Sequence, residues 1–393
     1  MDDLREGDEL DCRHLLWPNP ARLALALSGG GARAAYQVGF LRFLASRFPD
    51  FSPDILTGVS AGAINAAYLA AHPGTFRDRL DALANLWASL SVEDVFRVDL
   101  VCLALNIARW GTRLLSGGSR HAPRARSLVD TDPLRQLLAG ALGAENGILT
   151  GVDHNIADGS LKAVALTASS YATGQSVTWV RGCGIELWER SDRKSINGPV
   201  TVEHVMASAA LPLVFPAVQI AGAWYGDGGV GLTAPLSPAV HLGADRILAI
   251  STRASREGPN PTDIEEYPPP AQVAGVLLDA IFLDLLDADA QRLQRINLLV
   301  DALPEGGRAS LRHVDLQVLR PSQDLGRLAR EYEPRLPPAF RFLTRGLGTR
   351  ELRSSSMLSL IMFQPDYLKR LLDLGEADAR ARAGELGALL KAA

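Results

Sequence analysis

The chain has 393 residues, 47% of them hydrophobic and 21% charged, with a formal net charge of −4. That describes a globular protein with room for one large α/β domain or two ordinary ones. It argues against a nucleic-acid binder, which needs a domain-wide basic field. Cys12, Cys102 and Cys183 are widely spaced with no C-x-x-C pair, which suggests neither a disulfide framework nor a zinc site and fits a reducing, cytoplasmic compartment.

Residues 1–20 are acidic and end at Pro18 and Pro20. They lack the apolar run of a secretion signal and read as a tail. A strand follows at Leu23–Leu27 and runs into Gly29-Gly30-Gly31-Ala32-Arg33-Ala34, then a helix. Bare glycine backbone before a helix start offers unpaired N–H groups to a negative charge. That charge is either a cofactor phosphate or an oxyanion formed during a reaction. The phosphate reading fits the relaxed G-x-G-x-x-G/A fingerprint, with Asp50 or Asp54 as the ribose acid. However, that acid should close the second strand, and here both precede it.

The second strand, Ile55–Val59, ends instead in Gly58-Val59-Ser60-Ala61-Gly62, followed by a helix of small residues. This is G-x-S-x-G in the strand-turn-helix context of a nucleophile elbow. Gly58 and Gly62 leave room for a strained turn that lifts the Ser60 hydroxyl clear of the backbone. The bland alternative is a glycine-flanked N-cap serine. With Ser60 as nucleophile, the first glycine turn supplies the oxyanion donors acyl transfer needs, and Arg33 adds positive charge, its alternative being a solvated or salt-bridged residue in a first helical turn.

Val95–Leu115 contains an apolar run, Val98–Leu115, that is interrupted by Asp99, Asn106, Arg109 and Arg113 and falls short of the ~20 apolar residues a membrane span needs. It reads as a buried helix over the cleft. The alternative is a mobile cap that lays Trp110 on a bilayer while Arg120, Arg124 and Arg126 meet anionic head groups. Further strands are expected at Leu161–Ala168, Ser176–Val180, Val218–Tyr225 and Arg246–Thr252. The alternation with helices favours a sheet covered on both faces. Residues 256–270 read as a linker, Ala271–Ile296 and Pro365–Ala383 as amphipathic helices, and "RHVDLQVLRP" (312–321) as a strand returning to the sheet.

A serine hydroxyl needs a neighbour to take its proton. Of the histidines, His204 and His241 lie in helical patterns as packed or surface residues. His14, His72, His121, His154 and His313 look like loop or tail residues. The better base is Asp227, which ends a strand-like run and is flanked by Gly226, Gly228 and Gly229, although an Asp-Gly hairpin turn explains the same letters.

Four blocks, "SGGGARAAYQVG", "GVSAGAINAA", "ASAALPLVFPAV" and "DGGV", stand in the order and approximate spacing of the patatin-like phospholipases, which the chain resembles from Leu23 to roughly Thr252. The resemblance implies an α/β fold, a patatin-like three-layer sandwich with a mostly parallel sheet. It spans 21–255, and a mainly helical part, 256–393, packs on the same domain. It also implies a Ser/Asp dyad of Ser60 and Asp227 with no histidine, an oxyanion loop of Gly29, Gly30, Gly31 and Arg33, and Pro212 and Pro216 shaping the cleft wall. The expected activity is hydrolysis of acyl esters in phospholipids, lysophospholipids or neutral lipids. No cofactor and no metal are expected. The partners are the lipid substrate and, peripherally, a membrane, with no nucleic acid. Acyl transfer to an alcohol by the same dyad and a catalytically silent lipid- or partner-binding module are the alternatives.

Overall fold

The computed structural model describes residues 21–97, 129–212, 214–254, 270–282, 284–309, 311–337, 340–341, 345 and 356–391. The expected tail 1–20, residues 98–128 of the expected cap with Trp110, Arg120, Arg124 and Arg126, most of the linker, Cys12, Cys102, His14 and His121 lie outside them.

Among the described residues, nine strands form one sheet: β1 (Leu23–Leu27), β2 (Ile55–Val59), β3 (Ala163–Ser170), β4 (Ser176–Gly182), β5 (Arg193–Asn197), β6 (Val218–Ile220), β7 (Ala223–Asp227), β8 (Arg246–Ile250) and β9 (Asp315–Leu319). Their order is β5-β4-β3-β2-β1-β8-β9. β3, β2, β1, β8 and β9 run parallel, while β4 is antiparallel to β3. The helices are α1 (Ala35–Arg47), α2 (Ala61–Ala71), α3 (Phe76–Ser89), α4 (Val92–Val95), α5 (Asp132–Ala141), α6 (Thr150–Ala157), α7 (Val202–Ser208), α8 (Ser237–His241), α9 (Pro270–Phe282), α10 (Asp284–Ala302), α11 (Leu325–Tyr332), α12 (Ser356–Ile361), α13 (Pro365–Ala381) and α14 (Ala383–Lys391).

The parallel strands are buried on both faces, and their period-2 alternation sends successive side chains into opposite cores. Leu23, Leu25, Leu27, Leu56, Val164, Leu166, Leu248 and Ile250 join one core, with residues of α1, α2, α3 and α13. Ala24, Ala26, Ala163, Ala165 and Ala249 join the other, against Leu236, Ala239 and Leu242 around α8 and Leu286, Ala290 and Leu293 of α10. Two apolar faces require two helical layers, so the three-layer arrangement follows from the strands themselves. No described helix is long and apolar enough to cross a membrane.

Three sequence readings change. The run Val218–Tyr225 is a hairpin of β6 and β7, turned by Ala221 and Gly222 at φ 49° and 80°. β5, half-exposed and rich in charge, had no apolar alternation to reveal it. Cys183 is buried and disulfide-bonded, where the sequence suggested no disulfide framework. In the C-terminal part, β9 pairs with β8 in parallel, so this part shares the sheet.

Candidate active site

β2 delivers Ser60 into the turn before α2. Ser60 adopts φ 55°, ψ −131°, a strained backbone for a residue with a Cβ. The turn requires glycine on both sides of it: a Cβ on Gly62 would lie 2.2 Å from the Leu27 carbonyl oxygen, and one on Gly58 would lie 2.4 Å from the Gly62 oxygen. Ser60 thus sits at the N-terminal end of α2, where negative charge is favoured.

Asp227 reaches the same place by sheet register. β2 pairs along β3 as far as Val59 opposite Thr167. At the next position, Ala168, β3 changes partner and pairs with Asp227 at the end of β7. Where β2 turns away at Ser60, β7 therefore takes its slot and brings Asp227 alongside. Gly228 makes this junction possible, since a Cβ there would lie 2.0 Å from the Thr167 oxygen.

The block Ala207–Val218, read from the sequence only through its prolines, clamps both residues. Ser208 Oγ accepts the Ser60 backbone N–H at 3.0 Å and donates to the Thr167 oxygen at 2.6 Å. The Asp227 N–H donates to the Ala210 oxygen at 2.9 Å. Ser208 is fully buried. Its only signal in the sequence is a polar residue on the apolar face of a short helix, which reads as ordinary packing.

Asp227 has no solvent exposure. Its Oδ1 accepts the Gly229 N–H at 2.9 Å, whereas buried Oδ2 has no hydrogen-bond partner. Burial pushes its pKa up to about 7, against smaller lowering effects from the nearby Ser60 hydroxyl and the Gly229 N–H. The Ser60–Asp227 approach is thus close enough to be felt electrostatically without an aligned hydrogen bond.

The glycine turn lies against this pair. A Cβ on Gly29 would lie 2.9 Å from Ser60 Cβ. Thr252 Oγ1 donates to the Gly29 oxygen at 2.7 Å, and Gln37 Nε2 to the Ser28 and Ile250 oxygens at 2.9 and 3.0 Å. The N–H groups of Gly29, Gly30 and Gly31 take no partner among the described residues. Arg33, expected in the oxyanion loop, is placed otherwise. Its guanidinium donates to Ser359 Oγ at 2.7 Å and the Ser356 oxygen at 2.8 Å, and it is not among the residues lining the cleft.

The cleft beside Ser60 is almost wholly apolar. Gly30, Gly31 and Ser60 open onto walls that include Trp87, Leu90, Leu138, Phe215, Ile361 and Phe363. No described histidine lines it. His204 stacks on Trp179 at 4.4 Å and accepts the Thr201 N–H through Nδ1, with its pKa lowered to about 4 by burial. His241 stacks on Trp188 at 4.7 Å, and His313 is paired with Asp301 and Asp315. Pro212 and Pro216 are half-buried beside the lining residues Leu211 and Phe215. The dinucleotide alternative loses its acid: Asp54 Oδ2 accepts the Leu23 N–H at 2.8 Å, at the opposite strand ends from the glycine turn, and Asp50 is exposed.

A sequence profile of the patatin-like phospholipases matches residues 25–240, more than half of the chain, and spans Ser60 and Asp227. The chain belongs to this family. Among solved structures it is similar to VipD from Legionella pneumophila, with 14% identity over 90% of this chain and 67% of that one, and a TM-score of 0.32. It is also similar to human GIVD cytosolic phospholipase A2 in complex with methyl gamma-linolenyl fluorophosphonate, with 14% identity, 93% and 58% coverage and a TM-score of 0.43. ExoU from Pseudomonas aeruginosa, in complex with SpcU, matches at 22% identity over 41% and 35%, with a TM-score of 0.19. The chain spans at most about two thirds of the length of these structures. No curated protein sequence matches it. For this patatin-like chain, family membership supports a lipid hydrolase activity.

Proposed function

We propose that this patatin-like protein is a serine-type carboxylic ester hydrolase that cleaves acyl esters of lipids through an acyl-enzyme on Ser60, with Asp227 as general base. The observation that carries this reading is the register shared by the two residues at the end of β2, with an orphaned Asp227 oxygen. Ser60 Oγ attacks the ester carbonyl while its proton passes to Asp227. The resulting oxyanion is received by the unpaired N–H groups of Gly30 and Gly31, supported by Gly29. Collapse breaks the bond to the alcohol, which takes the proton from Asp227. Water then attacks the acyl-enzyme, giving its proton to Asp227. As the fatty acid leaves, that proton returns to Ser60 Oγ.

The apolar cleft fits an acyl chain, so we assign the acyl group to it and the alcohol to solvent. An alcohol replacing water in the second half gives acyl transfer with the same residues. Neither a metal nor a cofactor enters these steps. Val276 and Leu277 on α9 are 64% and 59% exposed, and Val230 just after Asp227 is 41% exposed. They support peripheral membrane contact as part of the proposal. We propose a cytoplasmic location, peripheral at the membrane.

Incubating the purified protein with phospholipid, lysophospholipid and triacylglycerol, with and without an added alcohol acceptor, and following products by mass spectrometry tests the reading. Free fatty acid should appear, and Ser60→Ala and Asp227→Asn should each abolish it, since the pair acts as a unit. Near-normal turnover by folded Asp227→Asn would show that another group is the base.

A further inference from the structure

Arg33 stands on the oxyanion turn yet directs its guanidinium into the C-terminal helices. It is 3% exposed. Nε donates to Ser359 Oγ, Nη2 donates to the Ser356 oxygen, and Nη1 faces Asp279 Oδ1 at 3.8 Å. Ser356 Oγ donates to Asp279 Oδ2 at 2.7 Å, and Ser359 Oγ donates to the Ser356 oxygen at 2.8 Å. Three groups from α9 and α12 thus close around one cation, and its planar fork satisfies them in a geometry lysine cannot copy.

α12 is thereby pressed on the turn itself. Gly31 has φ 54°, and a Cβ on it would lie 2.1 Å from the Leu360 oxygen. The same stretch supplies Leu360, Ile361 and Phe363 to the wall of the cleft. Phe363 stacks on Trp87 at 6.5 Å between ring centres and meets Phe96 edge-on at 6.2 Å. All of this stretch lies beyond the residues the family profile matches.

We propose that Arg33 is a positioning residue, not an oxyanion donor: it latches α12 onto the glycine turn, so that Leu360, Ile361 and Phe363 close the acyl cleft and make the enzyme selective for long acyl chains. The inference rests on the acyl reading of the cleft. An oxyanion forms on every ester, whatever its chain length, so a lost oxyanion donor lowers kcat uniformly. A loosened wall acts only on chains long enough to touch it.

Two measurements separate these possibilities. The first is binding of a fluorescent long-chain fatty acid in a Ser60→Ala background, where no turnover intrudes. Arg33→Lys, Arg33→Met, Ser359→Ala and Phe363→Ala should each raise Kd about tenfold. Hydrogen exchange should accelerate at 356–363 in the Arg33 variants while β1 and β2 keep their protection. The second is kcat and KM for p-nitrophenyl acetate against the palmitate. The Arg33 variants should raise KM for palmitate about tenfold and leave kcat for acetate within about threefold. Arg33→Lys keeps the charge but loses the fork, so it should behave as Arg33→Met does. Ser359→Ala keeps the Ser356 carbonyl and Asp279 in place, and tests the latch should an Arg33 variant fail to fold.

Equal kcat losses on both esters, rescue by Arg33→Lys, or unchanged exchange at 356–363 would overturn the latch. Absence of fatty-acid binding by the Ser60→Ala protein itself would overturn the acyl cleft, and the latch with it. Normal binding with no ester turnover by wild type would instead refute the hydrolase reading while the binding and exchange results still decide the latch.

Discussion

In the proposed reaction Asp227 is the base, and burial lifts its pKa to about 7, near the value a base working at neutral pH should have. The base must be ionised, so kcat/KM should rise with pH through about 7 and level off above it. A plateau extending down to pH 5 would mean that a different group sets the rate. The same shift acts on stability. The folded pKa lies above the unfolded one, so the folded state holds the proton longer, and stability falls as pH rises from about 4 to about 7. Above that range the buried carboxylate costs roughly 4 kcal/mol. Asp227→Asn keeps an oxygen for the Gly229 N–H and removes the charge. It should raise Tm at pH 8, with the gain shrinking toward pH 4, in thermal scans across that range. Ser208 bears on the same pair through geometry: Ser208→Ala leaves the buried Ser60 N–H and Thr167 oxygen unpaired, at ~1–3 kcal/mol each. It should lower kcat by about tenfold or more with KM within twofold, and Ser208→Thr should recover part of it. Steady-state kinetics on a short ester reads this directly.

At the scale of elements, the strand-glycine-helix junctions after β1 and β2 were legible because their chemistry is local. The glycines, the serine and the small-residue helix lie within a few positions of one another. Asp227 was legible as a candidate but not as a neighbour, since its position follows from β3 changing partner between Thr167 and Ala168, a long-range pairing no short motif encodes. The role of Ser208 and the turning of Arg33 toward Ser359 are contacts across 148 and 326 residues. For Arg33, a charged residue beside a glycine turn reads as an anion ligand until the helix that claims it is in view. The glycine turn carries its own prediction. A Cβ on Gly30 would lie 2.3 Å from Thr252 Oγ1, so Gly30→Ala must shift the turn. Displacing one oxyanion donor costs about 2.7–4 kcal/mol in kcat. Gly30→Ala should therefore lose about a hundredfold in kcat or more while retaining fatty-acid binding, and equal losses in both would mean the turn only shapes the cleft.

Across the whole molecule, one sheet with an apolar core on each face positions everything else: strands end together at one edge, and the elbow, the glycine turn and the β7 hairpin all gather there. The exposed apolar side chains of α9 and Val230 adjoin that edge, because α9 packs against the residues that follow Asp227. Replacing Val276 and Leu277 by Lys should weaken sedimentation with phosphatidylcholine vesicles and spare hydrolysis of p-nitrophenyl acetate, whereas equal losses would mean the face is structural. The central claim, a covalent acyl-enzyme on Ser60 served by Asp227, is reached most directly by labelling with a long-chain alkyl fluorophosphonate and locating the adduct by peptide mass spectrometry. The account predicts one adduct, on Ser60, absent in Ser60→Ala and formed far more slowly in Asp227→Asn. A folded wild-type protein that takes no label, or takes it on another residue with Ser60 untouched, would contradict it.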